Sequence, residues 1–133
     1  MLNKKKVYIE EWLNFAKEDL DTAKALLNSE YLFNRSICYH CQQSAEKDLK
    51  AYIIYLDLPL NKTHNLIKLV DQISELDKEI THLQKAVEVL TDYIITARYP
   101  DDSELITDEE SELAFKESEK INNYINEKND GMN

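Results

Sequence analysis

The sequence predicts an all-α protein, a single up-and-down antiparallel bundle of about five helices, on three observations. Glycine is the first: the chain of 133 residues holds one, Gly131, within its last three positions. Tight two-residue hairpins want residues that tolerate positive φ, usually with a glycine, so strands joined by such turns are not expected. Only two prolines, Pro59 and Pro100, interrupt the chain. Finally, long stretches carry apolar residues three and four apart, the spacing of one helical face. At about 100–200 residues per domain, the length gives a single domain over 1–133, with its core over 8–127 and a frayed tail over 129–133.

A first helix is expected from Tyr8 to Leu27, with Ile9, Trp12, Phe15, Ala16, Leu20, Ala23, Leu26 and Leu27 forming one buried stripe and Asn28-Ser29 ending it. Asp19 breaks this stripe, and a carboxylate there must find a partner or cost several kcal/mol. A second helix is expected from Asn34, as N-cap, to Leu56. Cys38, Cys41, Ala45, Leu49, Tyr52, Ile53 and Leu56 face inward, while Ser36, His40, Gln43, Lys47, Lys50 and Ile54 line the opposite side. Pro59 closes that segment, because the residue before a proline leaves the helical region.

A third, shorter helix should start near Thr63 and bury Leu66, Leu69, Val70, Ile73 and Leu76. The fourth runs from Ile80 to Ala97 with Ile80, Leu83, Val87, Leu90 and Ile94 inward, and Pro100 forbids its continuation. Thr107-Asp108-Glu109-Glu110 reads as a capping box that opens a last helix reaching Lys128. Its stripe is thin: Ala114, Ser118, Ile121 and Ile125.

Composition excludes several function classes. With one glycine there is neither a P-loop nor a dinucleotide fingerprint, and no cofactor is expected. A net charge of −10 argues against a protein that coats nucleic acid electrostatically, although it leaves room for a small basic site within an acidic surface. The apolar run Ala51–Leu56 is far too short to span a bilayer. Lys4-Lys5-Lys6 lead into Val7-Tyr8-Ile9 and then Glu10-Glu11, without the apolar stretch of a signal peptide. A cytoplasmic protein with free thiols is expected.

Each candidate site has a bland and a functional reading. Cys38 and Cys41 show C-x-x-C spacing, but they sit on an apolar helical stripe, and no third cysteine supports a metal set; small buried hydrophobes are expected, with no metal site. Asp19 either clamps helices through a Tyr, Lys or Arg, or orients the Lys47 and Arg98 region. His40, Gln43, Lys47 and Lys50 are either a solvated face or a pocket for phosphate or nucleotide, with lysines as point charges and an amide reading base or sugar. Arg98 is one of only two arginines, beside Tyr99. Its planar fork suits phosphate and aromatic stacking, and the helix dipole is its bland explanation. Lys62-Thr63-His64 is either a capped helix start or a rim of that pocket.

Cys38-Tyr39-His40-Cys41-Gln42-Gln43-Ser44-Ala45-Glu46-Lys47-Asp48-Leu49-Lys50-Ala51 closely resembles the signature of the HEPN family (higher eukaryotes and prokaryotes nucleotide-binding domain). Three further segments resemble that family in order: Trp12 to Leu20, Lys62-Thr63-His64-Asn65-Leu66, and Ala97-Arg98-Tyr99-Pro100-Asp101. The resemblance implies a five-helix bundle, a homodimer, and a minimal nucleotidyltransferase as partner in a two-component, toxin–antitoxin-like system. It implies nucleotide binding; together with the cationic and amide groups on one helical face, this gives the expectation that nucleotide or RNA phosphate is bound by His40, Gln43, Lys47, Lys50, Lys62, His64, Arg98 and Tyr99, with Asp19 orienting. Two alternatives accompany it: a metal-independent ribonuclease, or a non-catalytic interaction bundle.

The ribonuclease members carry an arginine followed four to six residues later by a histidine. No histidine follows Arg98. Arg35 and His40 have the spacing, but five residues on a continuous helix set them about 140° apart. They converge only if Arg35 precedes the first turn or a second copy supplies one group.

Overall fold

The computed structural model describes residues 3–98 and 106–130, and it is helical almost throughout. Five α-helices follow one another: α1 (Lys4–Leu27), α2 (Asn34–Tyr55), α3 (Leu66–Ser74), α4 (Gln84–Arg98) and α5 (Asp108–Asp130). A 3₁₀ segment, Lys78–Leu83, precedes α4.

Local chemistry sets the ends of these elements. The Asn3 side chain accepts from the amides of Lys5 and Lys6, so α1 begins four residues before the expected Tyr8. Asn34 is not the cap of α2 but its first helical residue, and Phe33 stands at the cap without a side-chain bond. Asn34 instead joins helices: its amide donates to Ile106 O and Asp108 Oδ1, and it accepts from Ser111 Oγ. α2 ends with Leu58 N donating to Ile53 O and Asp57 N to Ile54 O, which places Asp57 at φ 58°. This motif usually recruits glycine; in a chain nearly without glycine, Asp takes the left-handed position at some steric cost.

Asn65, rather than Thr63, caps α3, and Thr63 Oγ1 accepts from Asn65 N just before it. The capping box at the start of α5 forms as expected, with Glu110 N donating to Thr107 Oγ1 and Thr107 N to Glu110 Oε1. At the other end, Asn129 and Asp130 are still helical, so the expected frayed tail starts later than 129 among the described residues.

The pattern of long-range bonds gives the directions. Asn34 meets Asp108, Ser118 Oγ donates to Cys41 O, and Asn122 meets Asp48, so α5 runs in the same sense as α2. α1 runs opposite, since Ser44 bonds Ala16 and His40 bonds Asp19. The connection after Pro59 travels back along α2 until His64 reaches Glu46; α3 then returns toward Asp77, which Tyr52 bonds. α3 therefore starts beside the middle of α2 and finishes near its end.

α2 is the axis of the bundle, with α1, α3, α4 and α5 all packed against it. Ile37, Leu49, Ile53, Leu66, Leu69, Ile73, Val87, Leu90, Ile121 and Ile125 are fully buried. Trp12, Leu26, Leu27 and Leu56 are half-buried, and two expected core residues are exposed. Phe15 is 56% exposed because it lies about 100° off neighbouring Ala16, which is buried. Leu76 is 61% exposed because α3 has already ended at Ser74. Ile94 lies outside the residues whose side chains are described.

A central helix needs small polar contacts, since large side chains would hold its neighbours apart. Ser44 and Ser118 are fully buried, and each donates to a carbonyl of the facing helix at 2.7 Å. Cys38 and Cys41 are free, buried thiols, as their place on the apolar stripe predicts. Burial pushes the Cys38 thiol up to about 11, and that of Cys41 higher still. No helix among the described residues is long and apolar enough to cross a membrane.

Candidate functional site

Asp19 resolves its own anomaly. Its two carboxylate oxygens take one partner each from α2: His40 Nδ1 at 2.9 Å on Oδ1, and Lys47 Nζ on Oδ2. An ionised carboxylate only accepts, so Nδ1 donates to Asp19, and in the neutral form of a ring bonded this way the lone pair lies on Nε2. His40 and Lys47 side chains retain about a quarter of their exposure, whereas Asp19 retains 14%. The carboxylate is therefore the inner member, and the imidazole and ammonium are the outer ones. Sequence reasoning found Asp19 and anticipated a Tyr, Lys or Arg partner, of which Lys47 is one; the histidine partner was missed.

A second network centres on Glu46, whose side chain is 5% exposed. It accepts from Lys50 Nζ at 3.1 Å, from Gln42 Nε2 at 3.3 Å, and from His64 Nδ1 at 3.1 Å. Lys50 thus spends its charge inside the protein, 6% exposed and over the Trp12 ring at 5.7 Å. That placement does not suit the phosphate contact read for it from sequence: one turn along α2, Glu46 captures the ammonium first. His64 differs, with its ring anchored to Glu46 while its side chain stays 73% exposed. Lys62 is exposed just before it.

Gln43 joins the Glu46 network. Its Nε2 donates to Gln42 Oε1 at 2.8 Å, and Gln42 in turn donates to Glu46. Gln43 lies one turn before Lys47 on the same face of α2 and is half-buried. The structure therefore brings together Asp19, His40 and Lys47, and separately Glu46, Lys50 and His64, with Gln43 joined to the second set. The Arg98 side chain and Tyr99 lie outside the described residues.

Arg35 is the second residue of α2 and exposed. The helix is continuous from Asn34, so Arg35 does not precede the first turn, and within one chain it points about 140° away from His40.

One property of this face is electrostatic. The chain has 26 acidic against 16 basic residues, yet α2 holds only two carboxylates, Glu46 and Asp48, which are 4% and 0% exposed. The open arc of α2 consists of Arg35, Ser36, Tyr39, His40, Gln43 and Lys47. It can attract an anion without an exposed carboxylate of its own helix repelling it.

Sequence reasoning gave no role to a cleft of about 200 Å³ at the far end of the bundle, lined by Asn3, Lys5, Lys6, Ile9, Glu10, Tyr55 and Asn129. Lys5 there is already paired with Asp57 at 2.9 Å. Among the described residues, no group of three His, Cys, Asp or Glu side chains is placed to hold a metal ion.

No curated protein matches the chain. Among solved structures, TT1696 from Thermus thermophilus superposes with a TM-score of 0.73 at 27% identity, over 90% of this chain and 97% of that one. ST0689, an archaeal HEPN homologue, superposes with a TM-score of 0.72 at 20% identity, over 90% and 96% of the two chains; at that identity it speaks for the fold alone. The HEPN domain family itself matches residues 9–128, nearly the whole chain and all of the motif-bearing helices. This chain belongs to the HEPN domain family.

Proposed function

We propose that this HEPN domain binds the phosphate of a nucleotide or RNA at the open arc of α2, as a homodimer in the cytoplasm beside a minimal nucleotidyltransferase in a two-component, toxin–antitoxin-like system. The observation that carries this reading is the pairing of a carboxylate-free helical face with an imidazole held at a fixed angle by Asp19. Lys47, Lys62 and Arg98 supply cations for phosphate oxygens; Gln43 supplies a directional hydrogen bond, and His40 donates from Nε2 in its protonated form. Lys50 acts from inside, holding Glu46 and through it His64. Homodimer and nucleotidyltransferase partner rest on family resemblance and are checked by light scattering and by co-purification with the neighbouring gene product.

Equilibrium titration of ATP and a short RNA tests the binding, with wild type, Lys47→Met and Arg98→Ala compared. Wild type should bind at micromolar to millimolar concentration, and each variant should weaken binding about tenfold while melting within a few degrees of wild type. Absence of binding to wild type would remove the proposal.

A second reading, metal-independent RNA cleavage, has its own observation: the Asp19–His40 pair leaves Nε2 as a base for a ribose 2′-hydroxyl. Arg35 of a second copy would then stabilise the phosphorane charge. A defined RNA incubated in EDTA should be cut by wild type and spared by His40→Ala. No products across pH 5–8 would exclude cleavage and leave binding standing.

A further inference from the structure

Tyr39 occupies the middle of the open arc of α2, 56% exposed, and its ring meets that of His40 near-perpendicularly, with centroids 5.4 Å apart and planes at 74°. Tyr31 and Phe33, in the connection before α2, lie against each other at 5.0 Å. Tyr39 has the His40 imidazole as its ring contact. Its helical neighbours one turn away are Arg35, Ser36 and Gln43, all polar. An apolar patch for docking another protein would not be built that way. A large π-face ringed by hydrogen-bonding groups fits instead a ligand that is flat, aromatic and polar at its edges.

Gln43 sharpens this. Because its Nε2 donates to Gln42 Oε1, the amide is held rather than free, and its Oε1 remains an acceptor on the arc. The side chains at 39 and 43 are one turn apart, roughly 6 Å between their Cβ atoms, and so serve one ring. We propose that Tyr39 is the stacking floor of a nucleobase subsite, with Gln43 at the edge of the base. The inference rests on the phosphate-binding reading above and adds the chemistry of the ligand's other half. An acceptor at that edge favours an exocyclic amine, hence adenine, cytosine or guanine over uracil.

The test uses the intact protein and four probes: a five-residue oligoadenylate RNA, the abasic ribose-phosphate chain of the same length, AMP, and ribose 5-phosphate. Stacking one base contributes about 1–3 kcal/mol, or about 5- to 150-fold in affinity. Wild type should prefer the oligoadenylate to its abasic counterpart by a factor in that range. Tyr39→Leu should bring the two to equal affinity without changing abasic binding, and Tyr39→Phe should keep the preference. A preference for AMP over ribose 5-phosphate would identify the free nucleotide as the source of the base. A preference confined to the oligomers would identify a strand; both support the subsite.

Equal binding of base-bearing and abasic probes by wild type would overturn the subsite and leave phosphate binding intact. No binding of any probe would overturn both. A Tyr39→Leu variant that keeps the base preference but changes mass in light scattering would place Tyr39 in a contact between copies and overturn the subsite.

Discussion

Asp48 is the residue whose chemistry is most at odds with its surroundings. It is 0% exposed, and its carboxylate accepts from Asn122 Nδ2 at 3.2 and 3.3 Å. Burial pushes its carboxyl up to about 7, against which the Asn122 bond works only weakly. The folded state therefore holds this proton where the unfolded chain, with an ordinary carboxyl, has lost it. Stability from this group is full below the unfolded value near 3.8 and falls as pH rises through about 7. The cost of ionising it is on the order of 4 kcal/mol at pH 8, at about 1.4 kcal/mol per unit. Asp48→Asn should raise the melting temperature at pH 8 and flatten its decline between pH 5 and 8. An unchanged decline in the variant would show that another group carries it. Neither Asp48 nor Glu46 stood out in the sequence, because each sits among lysines and reads as a surface residue. Asp19 stood out because its neighbours on the stripe are apolar.

At the scale of elements, Asp77 pins three segments together. It follows α3, caps the 3₁₀ segment through Glu79 N, and accepts on Oδ2 from Tyr52 of α2 at 2.8 Å and Tyr124 of α5 at 2.6 Å. Burial opposes its ionisation, but the bonds from Tyr124 and Tyr52 and the charge of Lys128 outweigh it, holding the carboxyl below its ordinary range. Both phenols are raised in turn, first by burial and then by the carboxylate. Hydrogen bonds to a charged group contribute about 1.5–3 kcal/mol. Tyr124→Phe and Tyr52→Phe should each destabilise by about 1–2 kcal/mol in urea unfolding. The double variant should lose more than the sum, since either phenol alone still bonds the shared carboxylate and only the double variant takes both away. Strict additivity would mean that Asp77 does not couple them. The five helices were legible from period and caps, and the capping box at Thr107 to the residue. What was not legible came from tertiary contacts: Asn34 bonded to α5 instead of capping, and the return of the chain along α2, which depends on His64 finding Glu46.

The whole molecule sets a small polar face against an acidic surface of net charge −10. Each phosphate neutralised on single-stranded nucleic acid contributes a slope of about −0.7 in log affinity against log salt, so two or three contacts give about −1.4 to −2. RNA titrations between 50 and 200 mM salt should return that shallow slope; a slope beyond −4 would require a basic surface that the composition does not provide. The bundle follows from periodicity, and the motif residues lie along α2 as their spacing requires. Glu46 and Lys50 have the i,i+4 spacing of a pair on one helix, but the sequence could not show that the pair would be buried, nor that Asp19 would orient His40, because both depend on which helix faces which. The most direct test of the account is a chemical-shift map: ¹⁵N-labelled protein titrated with a short single-stranded RNA. Shifts concentrated at residues 36–47 of α2, with Asp19 and residues 62–64, are the predicted result. Shifts centred on Lys5, Lys6 and Tyr55 at the opposite end of the bundle would contradict it.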